Sequence, residues 1–204
     1  MRLPPITQAL LITNVLIFLL SGTSGGELIA WFALWPIAPS GPAELPPFQI
    51  WQLVTYSFLH GSVPHLFFNM LALYMFGASV ENLFGSRFYL GYYFVCVVAA
   101  ALCHLAVTAL IGGPAVPTVG ASGGIYGVLL AYGLYFPNRT VMLLIPPIPM
   151  RARTLVVVFV ALELFFGVTG TASGIAHFAH LGGMLGGFLM IQYRRGGFPF
   201  SRRR

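Results

Sequence analysis

A serine set among glycines, Gly120-Ala121-Ser122-Gly123-Gly124-Ile125-Tyr126-Gly127, opens an apolar run, and a hydroxyl in apolar surroundings needs a hydrogen-bonding partner. An imidazole would make it a nucleophile by taking its proton. His180 stands in a second small-residue stretch, Ala179-His180-Leu181-Gly182-Gly183. Gly123, Gly124 and Gly127 after the serine, and Gly183 and Gly187 after the histidine, permit close approach of two helix backbones. One reading makes Ser122 a nucleophile and His180 its general base. The other makes Ser122 a helix cap among packing glycines. A third cluster is His60, His65 and Asn69. His65 and Asn69 are four apart and share a helix face, so two neutral donors, with the backbone N–H of Ser122, could hold an oxyanion. Each taken singly also suits an ordinary interhelical contact; three such clusters favour a site.

The elements that must position these residues are apolar spans. Of 204 residues, 58% are apolar and 7% charged, against about 45–50% and about 25% in soluble domains, and mean hydropathy is +0.87. This is the composition of an all-α polytopic membrane protein, with a single membrane domain over 1–204. Six spans are expected at 6–21, 64–84, 88–111, 122–136, 154–169 and 174–193. The first stays uncleaved, since only one charge and two prolines precede it and the span count is then even. Residues 22–50 hold Pro36, Pro39, Pro42, Pro46 and Pro47 with Trp31 and Trp35, a loop lying in the membrane interface. Residues 137–153 read as a loop and 194–204 as a basic tail. The fourth span is short, so Ser122 begins inside the bilayer thickness, and His180 lies six residues into the sixth, about 9 Å below its end.

Charge sets the orientation. There is no Asp and no Lys; the acids are Glu27, Glu44, Glu81 and Glu163, and ten arginines give a net +6. With both termini cytoplasmic, all ten arginines fall on the cytoplasmic side, in the inner membrane if the cell is bacterial. Arginines at span ends do not form a nucleic-acid-binding face, so no nucleic acid partner is expected. Cys96 and Cys103 are about 10 Å apart along one helix and cannot bridge; packing is their role.

Three motifs in order, His60-x4-His65-x3-Asn69, Gly120-Ala121-Ser122-Gly123 with Tyr126, and Ala179-His180-Leu181-Gly182-Gly183, resemble those of rhomboid intramembrane serine proteases across all six spans. The resemblance implies Ser122 as nucleophile, His180 as base, His65 and Asn69 as oxyanion donors and Tyr126 as a ring packed on the base, with His60, Gly120, Gly123 and Gly183 supporting. It implies cleavage of transmembrane protein substrates in the lipid bilayer near the outer leaflet, through an acyl-enzyme. Span five, with Phe159, Phe165 and Phe166, would be the lateral gate. Asn14 and the Glu81-x3-Gly85 turn also resemble family features. Trp51-Gln52 departs from the family's frequent Trp-Arg and leaves the anchoring of the first loop open. The alternative is an inactive member that binds transmembrane clients without cutting them.

Other chemistries lack their residues. Gly120-x-Ser122-x-Gly124 fits a nucleophile elbow, but that fold needs a strand, a helix and an acid in an α/β sheet. An aspartyl protease needs two Asp. No metal and no cofactor are expected, because His177-x-x-His180 has no Glu beside it as H-E-x-x-H requires. A dyad is what the inventory allows unless Glu163 or Glu81 reaches the site; Glu81 lies at the far end of span two, and Glu163 reads as an acid hydrogen-bonded within the bundle.

Overall fold

The computed structural model describes residues 3–24, 26–37, 45–112, 116–144, 146–170 and 176–196. Arg2, Pro39, Pro42, Glu44 and Arg202–Arg204, which enter the sequence reading, lie outside the described residues, as does the stretch 171–175.

Six helical segments occupy the expected span positions. They are α1 (Pro5–Ser21); α4 (Val63–Ala72), running through a π-helical turn (Leu73–Gly77) into α5 (Ala78–Phe84); α6 (Ser86–Ile111); α7 (Ser122–Tyr135); α8 (Ala152–Thr169); and α9 (His177–Arg194). Among the described residues, three helices are long and apolar enough to cross a bilayer: Val63–Phe84, Ser86–Leu110 and Ala152–Thr169. The first loop carries two short helices, α2 (Glu27–Phe32) and α3 (Gln52–Thr55), and a 3-10 turn, Tyr56–Phe58.

Several boundaries differ from the sequence expectation. The stretch 137–153 contains a hairpin, β1 (Thr140–Met142) paired antiparallel with β2 (Pro149–Arg151), with Val141 opposite Met150. Strands of three residues are too short to show alternation, and the prolines between them read as loop. α8 begins two residues early, at Ala152. α9 begins at His177, so His180 is three residues from its end, about 4.5 Å rather than about 9 Å along the axis.

The first helix is closed by an acid from another. The leading N–H groups of a helix have no partner within it, and α1 has no side-chain cap of its own. Glu81, on α5, accepts from the N–H of Ile6 at 3.0 Å, the N–H of Thr7 at 2.7 Å and the Thr7 hydroxyl at 2.8 Å. Ser86, opening α6, donates to it at 2.6 Å. Glu81 therefore ties α1 to the α5–α6 turn, and a carboxylate suits a helix N-terminus. In the first loop, Gln52 is 0% exposed. Its Oε1 accepts from the Trp35 N–H at 3.2 Å, and its Nε2 reaches the carbonyls of Trp31 and Pro47, each at 3.4 Å. A neutral amide thus fastens both sides of the loop.

α6 is the centre of the bundle. Tyr92, Tyr93, Cys96, Val97, Ala100 and Ala101 on it are buried, and α7 and α9 pack against it. Large apolar side chains such as Leu16, Leu19, Val157, Phe165 and Leu185 face outward instead, as lipid-facing positions do. α8 buries only Ala152, Leu155 and Glu163.

Candidate active site

Ser122 is placed from both sides. The loop before it is held by a bridge between Leu34 and Thr118, by the Gly120 N–H donating to the Tyr56 carbonyl at 3.0 Å, and by the Tyr56 hydroxyl donating to the Val97 carbonyl at 2.9 Å. Gly120 has φ +128°, and a Cβ there would lie 2.8 Å from His65 Nε2, so conformation and space both demand glycine. On the other side, α7 meets α9 backbone to backbone: a Cβ on Gly183 would overlap the Gly123 carbonyl oxygen, and one on Gly123 would lie 2.5 Å from Ala100 Cβ. That approach puts Ser122 Oγ 2.7 Å from His180 Nε2. The Tyr126 ring stacks on the imidazole, centroids 4.2 Å apart and planes 5° apart.

A carboxylate stands behind the imidazole. Glu163 on α8, 6% exposed, has Oε1 2.9 Å from His180 Nδ1 and Oε2 2.6 Å from His177 Nδ1. The Tyr126 hydroxyl donates to Oε1 in a short hydrogen bond. Sequence reasoning singled out Glu163 as an intramembrane acid and left open whether it reaches the site, which it does; the signal was its isolation in an apolar span. Glu81 does not reach the site and is engaged by α1 and Ser86. His177, His180 and Glu163 also form a potential metal-ligand set, with ligand atoms within 4.8 Å of one another. Yet the 2.6 and 2.9 Å N···O separations are hydrogen-bond lengths, while two ligands about 2.1 Å from a tetrahedral ion lie about 3.4 Å apart. The arrangement fits protons between these atoms better than an ion.

His65 and Asn69 line the same space. A cavity of ≈ 1060 Å³ is bounded by α4, α7, α8 and α9, with His65, Asn69, Ser122, His180, Phe159 and Phe166 on its walls. Asn69 is buried, and its Nδ2 donates to the His65 carbonyl at 2.8 Å; the amide carries a second hydrogen for another acceptor. His60 is buried edge-on against His65, centroids 5.0 Å apart. Burial, and secondarily the His65 ring, hold its pKa down, at about 4, so it is a neutral support. Phe159 packs on Tyr126 and Phe166 on His177. Phe159 and Phe166 line the cavity, whereas Phe165 is 57% exposed and does not.

The chain is similar in sequence to known proteins. The chain is 29% identical over 192 residues to "Rhomboid protease GluP" of Bacillus subtilis, covering 91% of this chain and 34% of that protein. It is 29% identical over 209 residues to "Rhomboid protein 1, mitochondrial" of Saccharomyces cerevisiae, covering 94% and 57%, and 29% identical over 130 residues to "Rhomboid protease GlpG" of Salmonella choleraesuis, covering 64% and 42%. It thus spans from a third to somewhat over half of the length of these relatives. The family model described as the Rhomboid domain matches residues 47–196. That stretch contains Ser122, His180 and every other residue of the site, and the chain belongs to the rhomboid family.

Proposed function

We propose that this protein is an intramembrane serine endopeptidase that cuts transmembrane protein substrates near the outer leaflet, with both termini cytoplasmic. The observation that carries the reading is the 2.7 Å contact between Ser122 Oγ and His180 Nε2 on the wall of a cavity open to α4 and α8. Three relatives named as rhomboid proteins, two of them proteases, support it.

A substrate helix enters between α4 and α8 and unwinds locally, which residues of low helix propensity ease, since open backbone is costly in a bilayer. Ser122 Oγ attacks the scissile carbonyl carbon as its proton passes to His180 Nε2. His65, the second Asn69 amide hydrogen and the Ser122 N–H face the oxyanion; the Ser122 N–H opens α7 and has no acceptor within that helix. The C–N bond breaks as Nε2 returns the proton to the leaving amine. Water then hydrolyses the ester, with His180 again taking the proton, and Ser122 is restored.

The test is a serine-directed fluorophosphonate together with a transmembrane substrate in detergent. Wild type is expected to label and cleave, and Ser122→Ala and His180→Ala to do neither. Normal cleavage by purified Ser122→Ala would end the proposal, and a wild type that binds transmembrane clients without labelling or cutting would make this an inactive member of the family.

A further inference from the structure

We infer that Glu163 is the third member of a Ser122–His180–Glu163 relay, a positioning residue that sets the tautomer of the base and stabilises the charge formed on it. The inference rests on the protease reading and adds to it a residue from a different helix.

Three groups converge on this one carboxylate: His180 Nδ1 at 2.9 Å, His177 Nδ1 at 2.6 Å and the Tyr126 hydroxyl. With Glu163 ionised, its carboxylate only accepts, and each imidazole then carries its proton on Nδ1. His180 then presents an unprotonated Nε2, and that nitrogen lies 2.7 Å from Ser122 Oγ. The hydrogen bonds thus run in one direction, from the serine hydroxyl to Nε2 and from Nδ1 to Glu163, which is the protonation a general base needs before it acts. The opposite tautomer would put a proton on Nε2 and leave the serine nothing to give its proton to. When Ser122 attacks, its proton converts His180 to an imidazolium already paired with the anion, and no proton passes to Glu163.

The carboxylate is itself held in place. His177 occupies the oxygen that His180 does not use, which prevents rotation about the terminal bond. Tyr126 stacks on the His180 ring and also donates to the same oxygen that His180 meets, so one side chain fixes both the imidazole plane and its partner. A buried polar residue with a purely packing role would need none of this alignment with Ser122.

Glu163→Gln is nearly isosteric but offers an amide donor as readily as an acceptor. With a transmembrane substrate in detergent, its kcat is expected to fall by about 10²-fold or more, by the logic that removing the acid of a catalytic triad disrupts the tautomer, with KM within about twofold. Glu163→Asp is expected to recover part of the loss. In protein labelled with ¹⁵N at histidine, the wild-type His180 resonance, identified by its loss in His180→Ala, is expected to show the proton on Nδ1 and to change in Glu163→Gln. A folded Glu163→Gln with wild-type kcat, or a wild-type His180 protonated on Nε2, would overturn the relay. If Glu163→Gln does not fold, as a thermal melt would show, the wild-type spectrum alone decides. If wild type neither labels nor cleaves, the protease reading fails, and the spectrum still decides whether Glu163 sets the tautomer.

Discussion

His60 shows how much one buried side chain adds at the residue scale. Its pKa, held near 4 by burial and the neighbouring His65 ring against an ordinary 6.5, lies outside the span that begins at Val63. An unfolded chain takes up a proton near pH 6.5 while the folded chain resists until about pH 4. The unfolded state binds more protons across that window, so stability is full above pH 6.5 and drains as pH falls towards 4. Melts in detergent from pH 7 to 4 are expected to show a shallower loss for His60→Phe than for wild type; equal slopes would remove the role. Ser122, His65, Asn69 and His180 were legible in the sequence because a hydroxyl, an amide and imidazoles in apolar spans each need a partner. The function of Glu163 was not legible, since its partners lie 14, 17 and 37 residues away and which face of α8 turns inward is set by tertiary packing. Gln52 was hidden for the same reason: its carbonyl and amide ends serve a loop whose path only the fold defines.

At the scale of elements, the seam between α7 and α9 sets the contact between Ser122 and His180. Gly183 faces the Gly123 carbonyl with no room for a methyl group, and a serine and an imidazole 2.7 Å apart depend on that closeness. Gly183→Ala is expected to lower the melting temperature and to reduce kcat/KM by about 10²-fold, because a shift of about 1 Å between reacting groups costs that much. Gly91→Ala is the control: on α6 a Cβ at Gly91 meets nothing within 4 Å, so activity should hold and stability rise by up to about 1 kcal/mol from helix propensity. Activity kept in Gly183→Ala would show that the seam tolerates separation. Spans were readable here by length and apolar content, and the motif glycines marked which of them approach. Their exact ends were not. The π turn at Leu73–Gly77 falls where Gly77 lies against Tyr89, Leu73 and Thr7, a contact made from three helices that no local pattern encodes. The hairpin at Thr140–Met142 and Pro149–Arg151 was missed because its strands fall below the length at which alternation can be seen.

For the molecule as a whole, the six-segment arrangement followed from apolar runs between turns, and the cavity between α4 and α8 did not, since a gap is a property of packing. The groups of the candidate site are divided unequally across that gap. Ser122 and His180 ride on the tight seam of α7 and α9, while Glu163 rides on α8, which buries three residues along its length. With Glu163 on α8 and His180 on α9, any swing of α8 that widened the proposed entrance would carry the carboxylate off the imidazole in the same movement. The expected signature is a split in kinetics: Phe166→Leu, trimming a side chain on the cavity wall, should lower KM for transmembrane substrates and also lower kcat, and in a Glu163→Gln background it should no longer lower kcat. A kcat that is unchanged or raised in the otherwise native protein would break the connection. The enzyme would then work as an interlock, disarmed while its door stands open and armed only when α8 closes behind the peptide, so that a lipid-exposed hydrolase does not sit permanently primed in the membrane.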